Sequence, residues 1–253
     1  MRRSGSCPER DSTPTRKRVP AMALRIGFEN GVEGRTLAWA LEHPGCFAYG
    51  IDEHEALHRI PAAFQEYVYW IAQHDPHPWL TPVDQEIQVE ESWQVYSIDE
   101  NYELAADGYE VNAWSLHDWK PLTEVEVERG LKLLTWSRAD LLGTVAGLDQ
   151  ETLDLNRPGE RWSISGILKH VGGAEWWYLD RLGLAFPRAE VPDDPWERLE
   201  KIRALMEATL PDLVGSRRVV GADGEFWSPR KLLRRAVWHE RDHTIHIRKL
   251  LPT

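Results

Sequence analysis

The chain is predicted to be a small α+β domain followed by an all-α four-helix bundle, and three observations carry that prediction. Leu24–Phe28, Arg35–Leu41 and Cys46–Gly50 have strand character and are separated by turn-forming residues. Four later stretches each open on a good N-cap and carry apolar residues at helical spacing. The connections between those four are short, which makes neighbouring helices antiparallel and favours a bundle.

Taken in order, residues 1–21 read as a basic tail with the Arg-, Ser-, Thr- and Pro-rich composition of disorder, and Met22 could be the start of translation instead. Residues 22–110 form the α+β domain. Its first strand and Arg35–Leu41 flank the turn-prone Glu29-Asn30-Gly31, and Pro44-Gly45 breaks the run before Cys46–Gly50. Asp52 opens a helix with Ala56, Leu57, Ile60, Ala63, Phe64, Val68 and Ile71 at helical spacing, ended by Pro76, Pro78 and Pro82. Glu86–Ser97 alternates through Ile87, Val89, Trp93 and Val95 and suits a later strand. Residues 111–121 read as a linker.

Residues 122–253 form the bundle. Thr123-Glu124-Val125-Glu126 is a capping box, and the helix it opens has Val127, Leu131, Leu134, Ala139, Leu142 and Val145 as its inward stripe, closed by Gly147. After a loop at 156–161, Ser163 caps a second helix with Ile164, Ile167, Leu168, Val171, Trp177 and Leu182 inward. Asp194-Pro195-Trp196-Glu197 places cap, N1 proline and N3 glutamate together and opens a third, running to about Leu210. Gly215–Gly224 is a loop. Ser228-Pro229 then starts a fourth helix that meets no Gly or Pro until Pro252.

Composition narrows the function. The chain has 253 residues, 42% hydrophobic and 28% charged, with thirteen Trp that imply well-filled cores or aromatic pockets. Net charge is −11, and residues 21–120 hold four Lys/Arg against eighteen Asp/Glu. So acidic a segment repels phosphate backbones and argues against nucleic-acid binding. Cys7 and Cys46 are too few for a disulfide framework or a cysteine zinc site. With no signal-peptide core and no run of about 18 apolar residues, no membrane role is expected and the protein is read as cytoplasmic.

The chemistry concentrates in the fourth helix. His239 and His243 are four residues apart, so their imidazoles share one helix face and can reach one metal ion. His170 lies two turns past Ser163 on the inward side of the second helix, and bundle cores are common places for metal sites built from facing helices. A lone core histidine is usually hydrogen-bonded filler, but three at coherent spacing point to ligation. Neutral imidazoles suit zinc or nickel, with iron as a further choice, and three ligands leave a position for water or substrate. His239-Glu240-x-x-His243 also spells the zincin metalloprotease string with Glu240 as base. That reading is disfavoured, because only ten residues follow His243 and Glu240 sits off the histidine face. His54-Glu55-Ala56-Leu57-His58 repeats the string and reads as a solvated helical turn. Glu240, His246, Trp162 and Trp238 are candidates for the surroundings of the ligands or the pocket. Arg235 and Arg241 could hold an anionic substrate, with surface ion pairing as the plainer role. Neither cysteine lies in the bundle, so a nucleophile would come from a metal or a cosubstrate.

Two resemblances follow. Residues from about 122 to 251 resemble the DinB-like (YfiT-like) metal-binding bundle superfamily, whose "Trp-Ser-x-x-x-x-x-x-His" and "His-x-x-x-His" motifs fall on Trp162, Ser163, His170, His239 and His243. His246 stands where that family commonly carries Gln. The resemblance implies a divalent-metal site at the three histidines and a small-molecule substrate, with a low-molecular-weight thiol cosubstrate for S-transfer or isomerisation, or else hydrolysis. Arg35–Leu41 followed by His43-Pro44-Gly45-Cys46-Phe47-Ala48-Tyr49-Gly50 and Glu53-His54-Glu55-Ala56-Leu57 resemble the HicB-like antitoxin-type domain. The helix-turn-helix or ribbon tail of that family is missing here, which implies an interaction or accessory domain able to hold a protein partner. A homodimer fits either part. The other functional reading is a non-catalytic scaffold with a structural or vestigial metal site.

Overall fold

The computed structural model describes residues 23–81 and 86–251, so the basic tail, Met22, Pro82 and Pro252 lie outside the described residues. Strands β1 (Leu24–Val32), β2 (Arg35–Ala40), β3 (Phe47–Gly50) and β4 (Ile87–Gln94) form one sheet in the order β3-β2-β1-β4. β1 runs antiparallel to β2 and parallel to β4. α1 (Glu53–His74) links β3 to β4 and packs on the sheet through Ala56, Ile60, Phe64, Val68 and Ile71. Asp52 caps this helix by accepting from the Glu55 N–H.

Two expectations for this half are corrected. The chain does not turn at Glu29-Asn30-Gly31; β1 continues through these residues with a bulge between Asn30 and Val32. The hairpin turns instead at Glu33-Gly34, both with positive φ (49° and 75°), the backbone that matches the twist of a two-residue hairpin. The single strand expected over Glu86–Ser97 is broken at Val95, after which β5 (Tyr96–Ile98) pairs with β6 (Tyr109–Val111) in a separate ribbon.

The helices beyond are α2 (Glu124–Val145), a short α3 (Gln150–Asp154), α4 (Ile164–Arg181), α5 (Pro195–Thr209) and α6 (Pro229–Leu250). Caps sit at Thr123, with the reciprocal Glu126 bond, and at Ser163, Asp194 and Ser228. Within α2 the buried face is rotated from the expected stripe: Ala139 and Leu142 are exposed, whereas Leu133, Ser137, Arg138 and Leu141 are buried. Ser137 and Arg138 face inward because buried carboxylates from α4 and α6 await them. The loop expected over Gly215–Gly224 ends in a hairpin, β7 (Val220–Ala222) with β8 (Glu225–Trp227), turning at Asp223-Gly224.

One apolar core runs through both halves, joining Ile26, Phe28, Phe64 and Ile71 to Leu134, Ile202, Trp227 and Val237. The first half of α6, Pro229 to Glu240, is buried throughout between sheet and bundle. Gly45 shows how close the approach is: a Cβ there would stand 2.6 Å from Val237 Cγ1 and 2.8 Å from Arg241 Cδ, and its φ is +84°. The Pro44-Gly45-Cys46 turn thus lies against α6. Residues 111–121, read as a linker, run through this interior, with Asp118 fully buried against Arg234 at 2.6 and 2.8 Å. No described helix is long and apolar enough to cross a membrane.

Candidate metal centre

α4 and α6 pack side by side and bring His170 opposite His239 and His243. His239 Nε2 lies 3.0 Å from His170 Nε2 and 3.1 Å from His243 Nε2. Among the described residues these three form the one group of three potential metal ligands, with donor atoms all within 4.8 Å of one another. Two nitrogens that each sit about 2.0–2.1 Å from one ion are separated by about 2.9–3.4 Å at common bond angles.

The donor set fits a cation for a second reason. A neutral imidazole nitrogen is either an N–H or a lone pair. The single Nε2 of His239 cannot make a well-aligned hydrogen bond to both neighbours, whichever form it takes. A shared cation that accepts a lone pair from each ring removes that conflict. The rings are held neutral: burial pushes His239 well below its usual range, and His243, His170 and Arg235 push the same way. Burial, then His170, takes His243 down to about 3, and burial with Arg161 lowers His170. Trp162 stacks on the His170 ring at 4.4 Å, fixing its plane.

The cluster opens on a cavity of about 700 Å³ whose walls come from both halves of the chain. The bundle contributes Trp162, Trp177, Tyr178 and Trp238, while Val32, Glu33, Arg35 and Tyr49 come from the sheet, and Glu110 and Asn112 from the segment between. Tyr49 donates to Asp242 Oδ2 at 3.3 Å across the two halves. Burial pushes Asp242 up, partly offset by the Tyr49 hydrogen bond and Arg35. Glu110 is also raised, by burial and then by Glu29.

The residues singled out from sequence divide clearly. Trp162, Trp238 and His246 line the cavity, and His246 Nε2 lies 2.9 Å from Glu160 rather than in the cluster. Glu240 is elsewhere: its carboxylate meets Arg138 Nε at 2.5 Å and Arg203 Nη2 at 2.9 Å and accepts from Ser137. Arg235 is not a surface residue but is buried against Glu29 at 2.5 Å, and Arg241 lies flat over Trp70 at 3.7 Å with its Nε on the Gly45 carbonyl. His54 and His58 are exposed on α1. Tyr49, Glu110 and Asp242 were missed. For Asp242 a signal existed, since it stands three residues after His239 and four before His246 on the same face. For Tyr49 and Glu110 none did.

No curated protein matches the chain. Among solved structures, YfiT from Bacillus subtilis, described as "a probable metal-dependent hydrolase with an unusual four-helix bundle topology", is 20% identical, with a TM-score of 0.41 over 51% of this chain and 87% of that one. A family model described as the DinB superfamily matches residues 133–247, within the helical half.

Proposed function

We propose that the protein is a metal-dependent enzyme acting on a small molecule, with His170, His239 and His243 holding a divalent zinc, nickel or iron ion. The observation that carries this reading is the convergence of three neutral imidazole nitrogens, 3.0 and 3.1 Å apart, at the edge of an aromatic cavity. A metal bound there supplies Lewis-acid chemistry, bringing the pKa of a bound water or thiol toward neutrality. The chain's own residues hold the rest. Trp162 fixes the His170 ring, Trp177, Tyr178 and Trp238 exclude water from the cavity walls, and Tyr49 with Asp242 presents a hydroxyl and a carboxylate to whatever enters. The reaction is thiol S-transfer from a low-molecular-weight thiol, or hydrolysis, carried out in the cytoplasm. The N-terminal half is read as a HicB-like accessory domain, supported by the Pro44-Gly45-Cys46 turn between β2 and β3 and by Glu55-Ala56-Leu57 in the first turn of α1.

Metal analysis of the purified protein tests the site, and a turnover screen with small thiols and activated esters tests the reaction. Near-stoichiometric divalent metal, lost in His239→Ala, is expected. Metal-free wild-type protein that resists reconstitution would overturn the metal reading, whereas loaded protein without turnover would leave a structural site.

A further inference from the structure

The wall that carries His170 borders two cavities. Beside the first cavity, between α4 and the segment leading into α5, lies another of about 620 Å³. It shares Trp162, His170, Ala174 and Trp177 with the cavity already described. Its own lining is basic: Lys169, Arg188 and Arg198 surround it, against the single carboxylate of Asp193.

That carboxylate does not neutralise the three cations. Asp193 meets Lys169 Nζ at 2.7 Å and stands 3.8 Å from Arg198, and its side chain is 96% exposed, so water screens the pair. Arg198 is held in place by backbone carbonyls, with Nε on Pro192 at 2.7 Å and Nη1 on Lys169 at 3.2 Å. Arg188 pairs with no carboxylate among the described residues. The concavity therefore carries an excess positive charge on a chain whose net charge is −11. A fixed guanidinium, a second, unpaired guanidinium and an ammonium, all lining an indole-walled hollow, make a receptor for a small anion. Gly173 adds room, because a Cβ there would meet only Arg198 Nη1, at 3.5 Å.

We propose that this second chamber binds the carboxylate or phosphate group of a small anionic ligand, seated beside the wall that holds His170. The site does not depend on a metal, so it stands or falls separately from the metal reading. The shared wall makes the two cavities neighbours, as a two-substrate reaction requires.

Calorimetric titration with inorganic phosphate, and separately with succinate, tests this on the full chain, as purified and after chelator treatment. Saturable binding of either anion is expected in both forms, with Arg188→Gln weakening it about tenfold or more, as loss of a charge-assisted contact does. Lys120→Gln removes an equal charge at an exposed position outside the chamber and is expected to bind as wild type. Preference for phosphate over succinate, or the reverse, identifies the anionic group. No saturable binding of either anion, or equal weakening by Arg188→Gln and Lys120→Gln, would overturn the proposal. Arg188 is exposed and outside every ion pair among the described residues, so its replacement leaves the structure intact.

Discussion

Glu240→Gln separates two accounts of the string around His239 and His243. If Glu240 were the base of a zincin-like site, the amide would abolish turnover and leave the fold alone. The geometry demands the opposite. Glu240 is 1% exposed, and both carboxylate oxygens are engaged, one by Arg138 at 2.5 Å and the other by Arg203 at 2.9 Å and by Ser137. The same two guanidiniums are shared with Glu175 at 2.9 and 2.6 Å, making a buried cluster of two cations and two anions. The amide of Gln would offer one acceptor and turn an N–H group toward a guanidinium, which also only donates. Two buried cations would be left with one carboxylate. Breaking a buried pair from one side costs about 3–5 kcal/mol. For a chain of this size each kcal/mol moves the melting temperature by about 2–4 °C, so a fall of about 6–20 °C is expected. Thermal unfolding followed by circular dichroism reads it, with metal content measured on the same samples well below the transition. A variant that melts with the wild type but has lost all turnover would refute this account and restore Glu240 as a base.

Other perturbations test the packing and its charges. Gly45→Ala brings a Cβ to 2.6 Å from Val237 and strains a φ of +84°, so a loss of about 1–3 kcal/mol is expected in urea titration. Gly143→Ala, in an exposed turn of α2 where a Cβ meets nothing within 4 Å, is expected to raise stability by about 0.5–1 kcal/mol. Burial holds His43 down to about 4 and His117 to about 3, so the unfolded chain takes up protons below pH 6.5 that the native chain refuses. Stability should therefore be complete above about pH 6.5 and fall as pH drops from there toward 4, with each histidine contributing a slope of about 1.4 kcal/mol per pH unit. A urea midpoint unchanged between pH 7 and pH 5 would contradict it.

What the sequence made legible was local. Asp52, Thr123, Ser163, Asp194 and Ser228 announce their helices because a cap acts within three residues of itself. His239 and His243 are paired by helix geometry alone. The hairpin turns were misplaced or missed where a second glycine competed: Gly31 drew attention from Glu33-Gly34, and the Asp223-Gly224 signal for a hairpin was absorbed into a loop. The cavity's other wall was not legible, because Tyr49 meets Asp242 across 193 residues and no local pattern encodes that distance. The α2 stripe failed for a related reason, since Ser137 and Arg138 look solvent-facing until Glu240 is known to lie opposite.

The charges of α6 explain why the two halves belong together. Arg230, Lys231, Arg234 and Arg235 look like a solvated helical face, yet all four are buried. Each meets a carboxylate that lies outside the helix: Glu126, Glu225, Asp118 and Glu29 respectively. Glu29 and Asp118 belong to the segment whose acidity argued against nucleic acid, so part of that excess is spent internally on one helix. These pairs fall in the turns just before His239, and a buried charge pair constrains both position and rotation of the backbone that carries it. A carboxylate removed from the sheet would leave a guanidinium uncompensated in the interior, which costs several kcal/mol. The sheet thus does two things at once: it walls the cavity through Arg35 and Tyr49, and through Glu29 it holds the helix that presents His239 and His243 at a fixed angle. The region 133–247 that matches the DinB superfamily model contains all three histidines but neither of these contributions, so in this chain the cavity beside the histidines is built by the two halves together.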